Sequence, residues 1–261
     1  VSLGRDAPAE VLAAIARRKE LEGQRAEILA SMAANARAVD ARKVTAVEIA
    51  GAFAGRGVPA MLVGSCCLPV MREGLGWDLP TVRTVDVDFL VDTPYRGRAV
   101  DVDAMLRPLG FRREFREDGS TIFSNAAMSV EFITPERGRG RRGPVPIGPM
   151  GVSAVARRYV QMRLVDTIRR EIGGHALVVP SPWALAFHKL IVADRRSRAA
   201  ASAGKRDKDI QQAVALLREI ARRPEAMEKA RAYLGAAVPA RWRAAILRRA
   251  RERLPGGAWE G

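Results

Sequence analysis

Two aspartates, Asp86 and Asp88, stand inside an otherwise apolar run, TVDVDFLVD, from Thr84 to Asp92. Residues two apart in a β-strand share a face, with Cα atoms about 6.6–7 Å apart. Two carboxylates brought to roughly 5 Å repel by about 3 kcal/mol at an effective dielectric near ~20. Such a face needs water, neighbouring cations or a metal ion. Taken alone, the pair reads best as the solvated acidic face of an edge strand. Acidic oxygen ligands also suit Mg²⁺ or Mn²⁺. Two such ions about 3.5–4 Å apart would clamp the oxygens of an in-line phosphoryl displacement.

Two other stretches bear on the choice. Val63-Gly64-Ser65 ends an apolar run and opens a helix. Glycine permits close backbone approach, and amides at a helix start cradle phosphate. The plainer reading is a strand-to-helix turn with a serine cap. MSVEFITP carries a single acid, Glu131, among apolar residues. A charge in mid-strand needs a partner or an outward-facing position.

The elements that must hold these residues follow from periodicity and punctuation. PAEVLAAIARRKELEGQRAEILASMAANARAV reads as helix, with Val11, Ile15, Leu21, Ile28 and Leu29 in one stripe. A helix over 45–54 ends at Gly55 and Gly57. Strands are expected over 60–63, 84–92, 111–116, 121–124 and 128–134, the turn EDGS joining two of them as a hairpin. A helix over 66–73 and one capped by Asp101 lie between strands. Residues 135–149, rich in Gly, Pro and Arg, are expected to form an irregular basic loop. Helix is expected over 153–171, followed by a short strand, HALVVPSP, with Ser181 as N-cap and Pro182 as first helical residue. Helices over 182–197, 207–222, 224–234 and 239–254 complete the chain. The expected class is α/β (α+β). Its parts are an N-terminal helical segment (1–57), a central mixed sheet with flanking helices (58–150) and a C-terminal helical domain (151–261).

Composition bounds the partners. The 261 residues carry 44 Lys+Arg against 29 Asp+Glu, a formal charge of +15. That excess points to a polyanionic partner, nucleic acid or a phosphorylated substrate. The only cysteines, Cys66 and Cys67, are adjacent and form no disulfide framework. With no apolar run of transmembrane length, the expected location is the cytoplasm. Arg137, Arg139, Arg141 and Arg142 follow directly on the Glu131 strand and are the candidate nucleic-acid contacts. The terminal helix, with Arg241, Arg243, Arg248, Arg249, Arg251 and Arg253, reads equally well as a solvated face.

A strand ending in Gly-Ser, a D-x-D strand about twenty residues on and a later strand with one acid together resemble the DNA polymerase beta-like nucleotidyltransferase fold. That resemblance implies that Gly64 and Ser65 contact a triphosphate. It also implies that Asp86, Asp88 and Glu131 hold two divalent ions, Glu131 standing where the family most often has Asp. The run Pro180–Leu217, with P-x-P, HKL, RR and K-x-x-KD, resembles bacterial members of poorly defined function, relatives of abortive-infection and MenT-type toxins. It implies that Lys189 neutralises phosphate and that Lys208 and Asp209 line the cleft. Read without the resemblance, these three are solvated helix residues, and His188 is a packing residue. The implied activity is metal-dependent transfer of a nucleoside monophosphate from an NTP to an acceptor hydroxyl, with RNA favoured. The rival is a catalytically degenerate, nucleic-acid-binding or toxin–antitoxin component of the same fold.

Overall fold

The computed structural model describes residues 9–39, 45–80, 85–137, 143–196, 200–254 and 259. The chain forms two compact units, Val1–Lys43 and Val44–Gly261. In the first, α1 (Ala9–Val39) is one long helix. Its Val11, Leu12, Ile15 and Leu21 are exposed.

The second unit opens with α2 (Ala46–Gly55), fixed at its start by a capping box. The Glu48 amide donates to Thr45 Oγ1 at 3.2 Å, and the Thr45 amide donates to Glu48 Oε2 at 2.8 Å. This satisfies two donors that a helix start leaves orphaned. There follow β1 (Ala60–Val63), a single 3₁₀ turn (Gly64–Cys66), α3 (Cys67–Leu75), β2 (Asp86–Val91) and α4 (Val102–Leu106). Then come β3 (Arg112–Phe115), β4 (Thr121–Ser124), β5 (Ser129–Pro135), β6 (Val145–Ile147) and β7 (Val152–Arg157). A short α5 (Gln161–Val165) leads to the β8 (Thr167–Ile172) and β9 (His175–Pro180) hairpin. Four helices follow: α6 (Pro182–Arg195), α7 (Ala200–Ala221), α8 (Pro224–Ala237) and α9 (Ala240–Arg253).

The sheet is mixed. Its order is β1-β2-β5-β4-β3, with β7 also on β5 and β6 on β7. β1 is antiparallel to β2, whereas β2 and β5 are parallel. One edge of β5 is shared: its first half pairs with β4 and its second half with β7. A continuous buried cluster reaches from Ile49 to Trp259 and includes Phe89, Phe132, Phe187 and Leu217, so sheet and C-terminal helices enclose one core. Phe53 meets Phe89 edge-on at 4.7 Å between centroids. A second, smaller cluster of Met61, Val63, Leu90, Ile133 and Val160 lies apart from it.

Three expectations are corrected. The helix expected over 153–171 is β7, α5 and β8. In β7 the burial alternates, Val152 and Ala154 inward, because the strand completes the free half of β5's edge. Tertiary pairing here overrides a segment whose Arg, Ala and Gln content favours helix. The loop over 135–149 contains the short strand β6, held antiparallel on β7. The strand expected over 84–92 is Asp86–Val91, and Val85 is 53% exposed because it precedes the paired part of β2. The boundary expected near 148–153 falls between β6 and β7, which pair with each other. No described helix is long and apolar enough to cross a membrane.

Candidate active site

β1 delivers the chain to a sharp corner at Gly64. Its φ of +78° lies in the left-handed region, and a Cβ there would stand 2.7 Å from Asp88 Oδ2. Only glycine lets the backbone pass this carboxylate. Beyond it, Ser65 Oγ donates to Gln212 Oε1 on α7 at 3.1 Å. The serine therefore bridges corner and helical half rather than capping its own turn. The Cys66 thiol donates to the Asp86 carbonyl at 3.5 Å, and the Cys67 thiol to the Leu62 carbonyl at 3.3 Å. Burial pushes the Cys66 thiol up to about 12, so it carries no thiolate chemistry at neutral pH.

The strand registers bring the acids together. Val63 lies opposite Asp88, Asp88 opposite Glu131 and Asp86 opposite Ser129. Val87 and Phe89 are buried on the other face. Ser129 Oγ donates to Asp86 Oδ1 at 2.9 Å. Arg116, just past β3, forms an ion pair with Glu131 Oε1. Burial raises the Asp88 carboxyl above its ordinary range; Asp86 adds to the rise and Arg163 opposes it. Burial likewise raises Glu131, which is 9% exposed; Arg116 opposes this, while Asp88 and Asp86 add to it. Asp86 thus makes Asp88 harder to ionise, and both make Glu131 harder to ionise, as like charges on one face do.

The opposite wall is helical. Lys189 on α6 is 3% exposed, and its Nζ donates to Asp209 Oδ1 on α7 at 3.0 Å. Arg196 Nε donates to Asp209 Oδ2 at 2.9 Å. Burial depresses the Lys189 ammonium and Asp209 opposes the shift. Below them Arg163, from α5, sits 2.6 Å from His188 Nδ1. Burial, then the Arg163 charge, holds His188 well below its ordinary pKa, so it is neutral. An arginine can only donate, which leaves the imidazole proton on Nε2. That Nε2 has no hydrogen-bond partner among the described residues.

One cavity of about 620 Å³ gathers Gly64, Ser65, Asp86, Asp88, Glu131, Lys189, Lys208 and Asp209. Arg195, Arg196 and Lys205, of the RR and K-x-x-KD run, also line it, as do Arg116, Arg157, Arg158 and Arg163, which the sequence reading missed. Arg163 carried a usable signal, a lone charge in the apolar run YVQMRLV. The others are indistinguishable in sequence from the remaining surface arginines. Nine Lys and Arg side chains face four carboxylates, a field suited to a polyanion that brings its own cation. Arg137 is instead held by Asp92, with Nη2 to Oδ1 at 2.8 Å. Arg139, Arg141 and Arg142 lie outside the described residues.

Among the described residues no trio of His, Cys, Asp or Glu is arranged to hold a metal ion unaided. Arg116 engages Glu131, and Asp86 leans toward Ser129. The donor set still fits a hard divalent ion, since Mg²⁺ usually takes one or two carboxylates and completes its shell with water and substrate phosphates. Asp86 and Asp88 would hold it.

A family model described as nucleotidyltransferase matches residues 39–237. None of the curated proteins matches the chain. The crystal structure of an antigenic nucleotidyltransferase-like protein from Paracoccidioides brasiliensis is similar at 14% identity and a TM-score of 0.41. That similarity covers 82% of this chain and 94% of the other.

Proposed function

The chain belongs to this nucleotidyltransferase family, and from that premise we propose that it moves a nucleoside monophosphate from an NTP to an acceptor hydroxyl, releasing pyrophosphate. The observation that supports the reading is the single cavity shared by the Gly64-Ser65 corner, the carboxylates of β2 and β5, and Lys189 and Lys208 from the helices. The acceptor oxygen attacks the α-phosphorus and forms the new P–O bond. The bond from that phosphorus to the β-phosphate bridging oxygen breaks, and pyrophosphate carries away the negative charge. Gly64 and Ser65 receive the terminal phosphates, where the missing Cβ leaves room for backbone contact. Lys189 and Lys208 neutralise the charge that grows on the leaving group. Glu131, its carboxyl raised by burial, takes the acceptor proton once Arg116 turns from it toward the substrate. Asp86 and Asp88 hold the divalent ion, Mg²⁺ or Mn²⁺, which when bound neutralises phosphate oxygens and orients the transferring group. Most of the rate then comes from positioning and charge neutralisation.

We place the acceptor among RNAs, a choice supported by the net charge of +15. The HKL and KD run of the helical half supports kinship with bacterial abortive-infection and MenT-type toxins. A second reading, a non-catalytic binding protein of the same family, is favoured by the Arg116–Glu131 pair and by the absence of a ready-made carboxylate trio among the described residues. Calorimetry with ATP, CTP, GTP and UTP, with and without Mg²⁺, separates the two. The transferase binds at least one NTP only when the metal is present. Incubation with each α-labelled NTP and total RNA then shows incorporation that falls to background in the Asp86→Asn, Asp88→Asn double variant. Incorporation that survives both changes sinks the site assignment, and metal-independent indifference to every NTP sinks the enzyme.

A further inference from the structure

Beside the carboxylate cleft lies a second cavity of about 570 Å³, and the two share Arg158, Tyr159 and Arg195 as a common wall. Its far side is built by Arg241 and Trp242 at the start of α9. Tyr159 has a φ of 69°, a left-handed conformation rare for a bulky residue. That backbone turn accompanies an edge-on contact of its ring with Trp242, 4.7 Å between centroids and 80° between planes. Trp242 is otherwise buried, and the Arg241 guanidinium lies over its ring at 5.1 Å.

The charges of this cavity are unbalanced in a specific way. Its one carboxylate, Glu136, accepts from Arg158 Nε at both oxygens, at 3.0 and 3.2 Å. No carboxylate among the described residues pairs with Arg195 or Arg241. Four of the other arginines of α9 are engaged elsewhere, Arg243 with the Val238 carbonyl, Arg249 with Asp194, Arg248 with Glu252 and Arg251 with the Trp259 carbonyl, and Arg253 lines a different cavity. Arg241 is thus the α9 arginine that lines this cavity, exposed and with its guanidinium over the Trp242 ring. A guanidinium on an aromatic face offers a plane for a base and donors for a phosphate at once. Single-stranded nucleic acid presents that combination at every step along its backbone.

We propose that this second cavity seats the nucleotide preceding the acceptor hydroxyl in a single-stranded RNA, with Arg195 and Arg241 on its phosphates and the Arg241–Trp242 stack beneath its base. The strand then crosses Tyr159 into the carboxylate cleft. The role of this RNA as acceptor rests on the nucleotidyl-transfer reading; the binding site does not.

The test is fluorescence anisotropy of a short labelled oligoribonucleotide over a salt titration, using the full chain and the variants Arg241→Glu and Arg241→Lys. Arg241 is exposed and lies outside the carboxylate cleft, so metal-dependent NTP binding is measured alongside as the control. R241E is expected to weaken RNA binding about tenfold or more and to flatten the log–log salt dependence by about 0.7, one single-strand phosphate contact. R241K is expected to keep the salt slope while losing affinity with the stacked plane. An R241E protein with wild-type RNA affinity and slope overturns the site, as does a wild-type chain that binds no RNA, the result a protein or small-molecule acceptor would give. A wild-type chain that binds RNA through Arg241 but no NTP overturns the acceptor role alone, and with it the transferase reading.

Discussion

Gly64 is the residue on which the geometry of the cleft turns. It combines a left-handed backbone with a carboxylate 2.7 Å from where a side chain would begin. Gly64→Ala is therefore expected to lose roughly 1–2 kcal/mol of stability from the backbone alone, measured by urea denaturation. Displacement of Asp88 is expected to abolish Mg²⁺-dependent NTP binding in the same protein. An alanine variant that binds NTP normally would show that the corner yields without disturbing Asp88. Asp86, Asp88, Gly64 and Ser65 were legible in the sequence because each breaks a local rule: acids inside a strand, a glycine at its end. Arg116 and Arg195 break no rule where they stand. Only the fold decides that they face the cleft rather than water.

Among the elements, the α6–α7 pair carries the most consequential polar contact. Asp209 receives both Lys189 and Arg196, and Lys189 is buried. Removing one partner of a buried pair leaves the other charge uncompensated and costs about 3–5 kcal/mol. Asp209→Asn is expected to approach that loss in the absence of any NTP, read by chemical denaturation. If its stability is unchanged while NTP affinity falls, Asp209 contacts substrate rather than holding Lys189. Helix starts and hairpins were readable from caps and turns: Asp101 and Ser181 each cap a helix. β7 and β8 were not, because their residues form strands only where β5 offers an unpaired half-edge and β9 a partner. Partners distant in sequence leave no local trace.

At the level of the molecule, residues from Val44 onward form a compact unit with its own core. A chain beginning at Val44 is expected to unfold cooperatively at the temperature of the same unit in the full chain and to bind Mg²⁺·NTP equally well, checked by calorimetry. Loss of either would give α1 a part in the site. Within that unit, the Gly-Ser corner is closed by a hydrogen bond from Ser65 to Gln212, 147 positions later. On a ribosome, the carboxylate strands and the corner emerge long before α7 exists to meet them. The nascent chain therefore passes most of its synthesis with half of the cleft and no opposing wall. The cleft is completed late, and a message cut short before α7 leaves the corner without its partner.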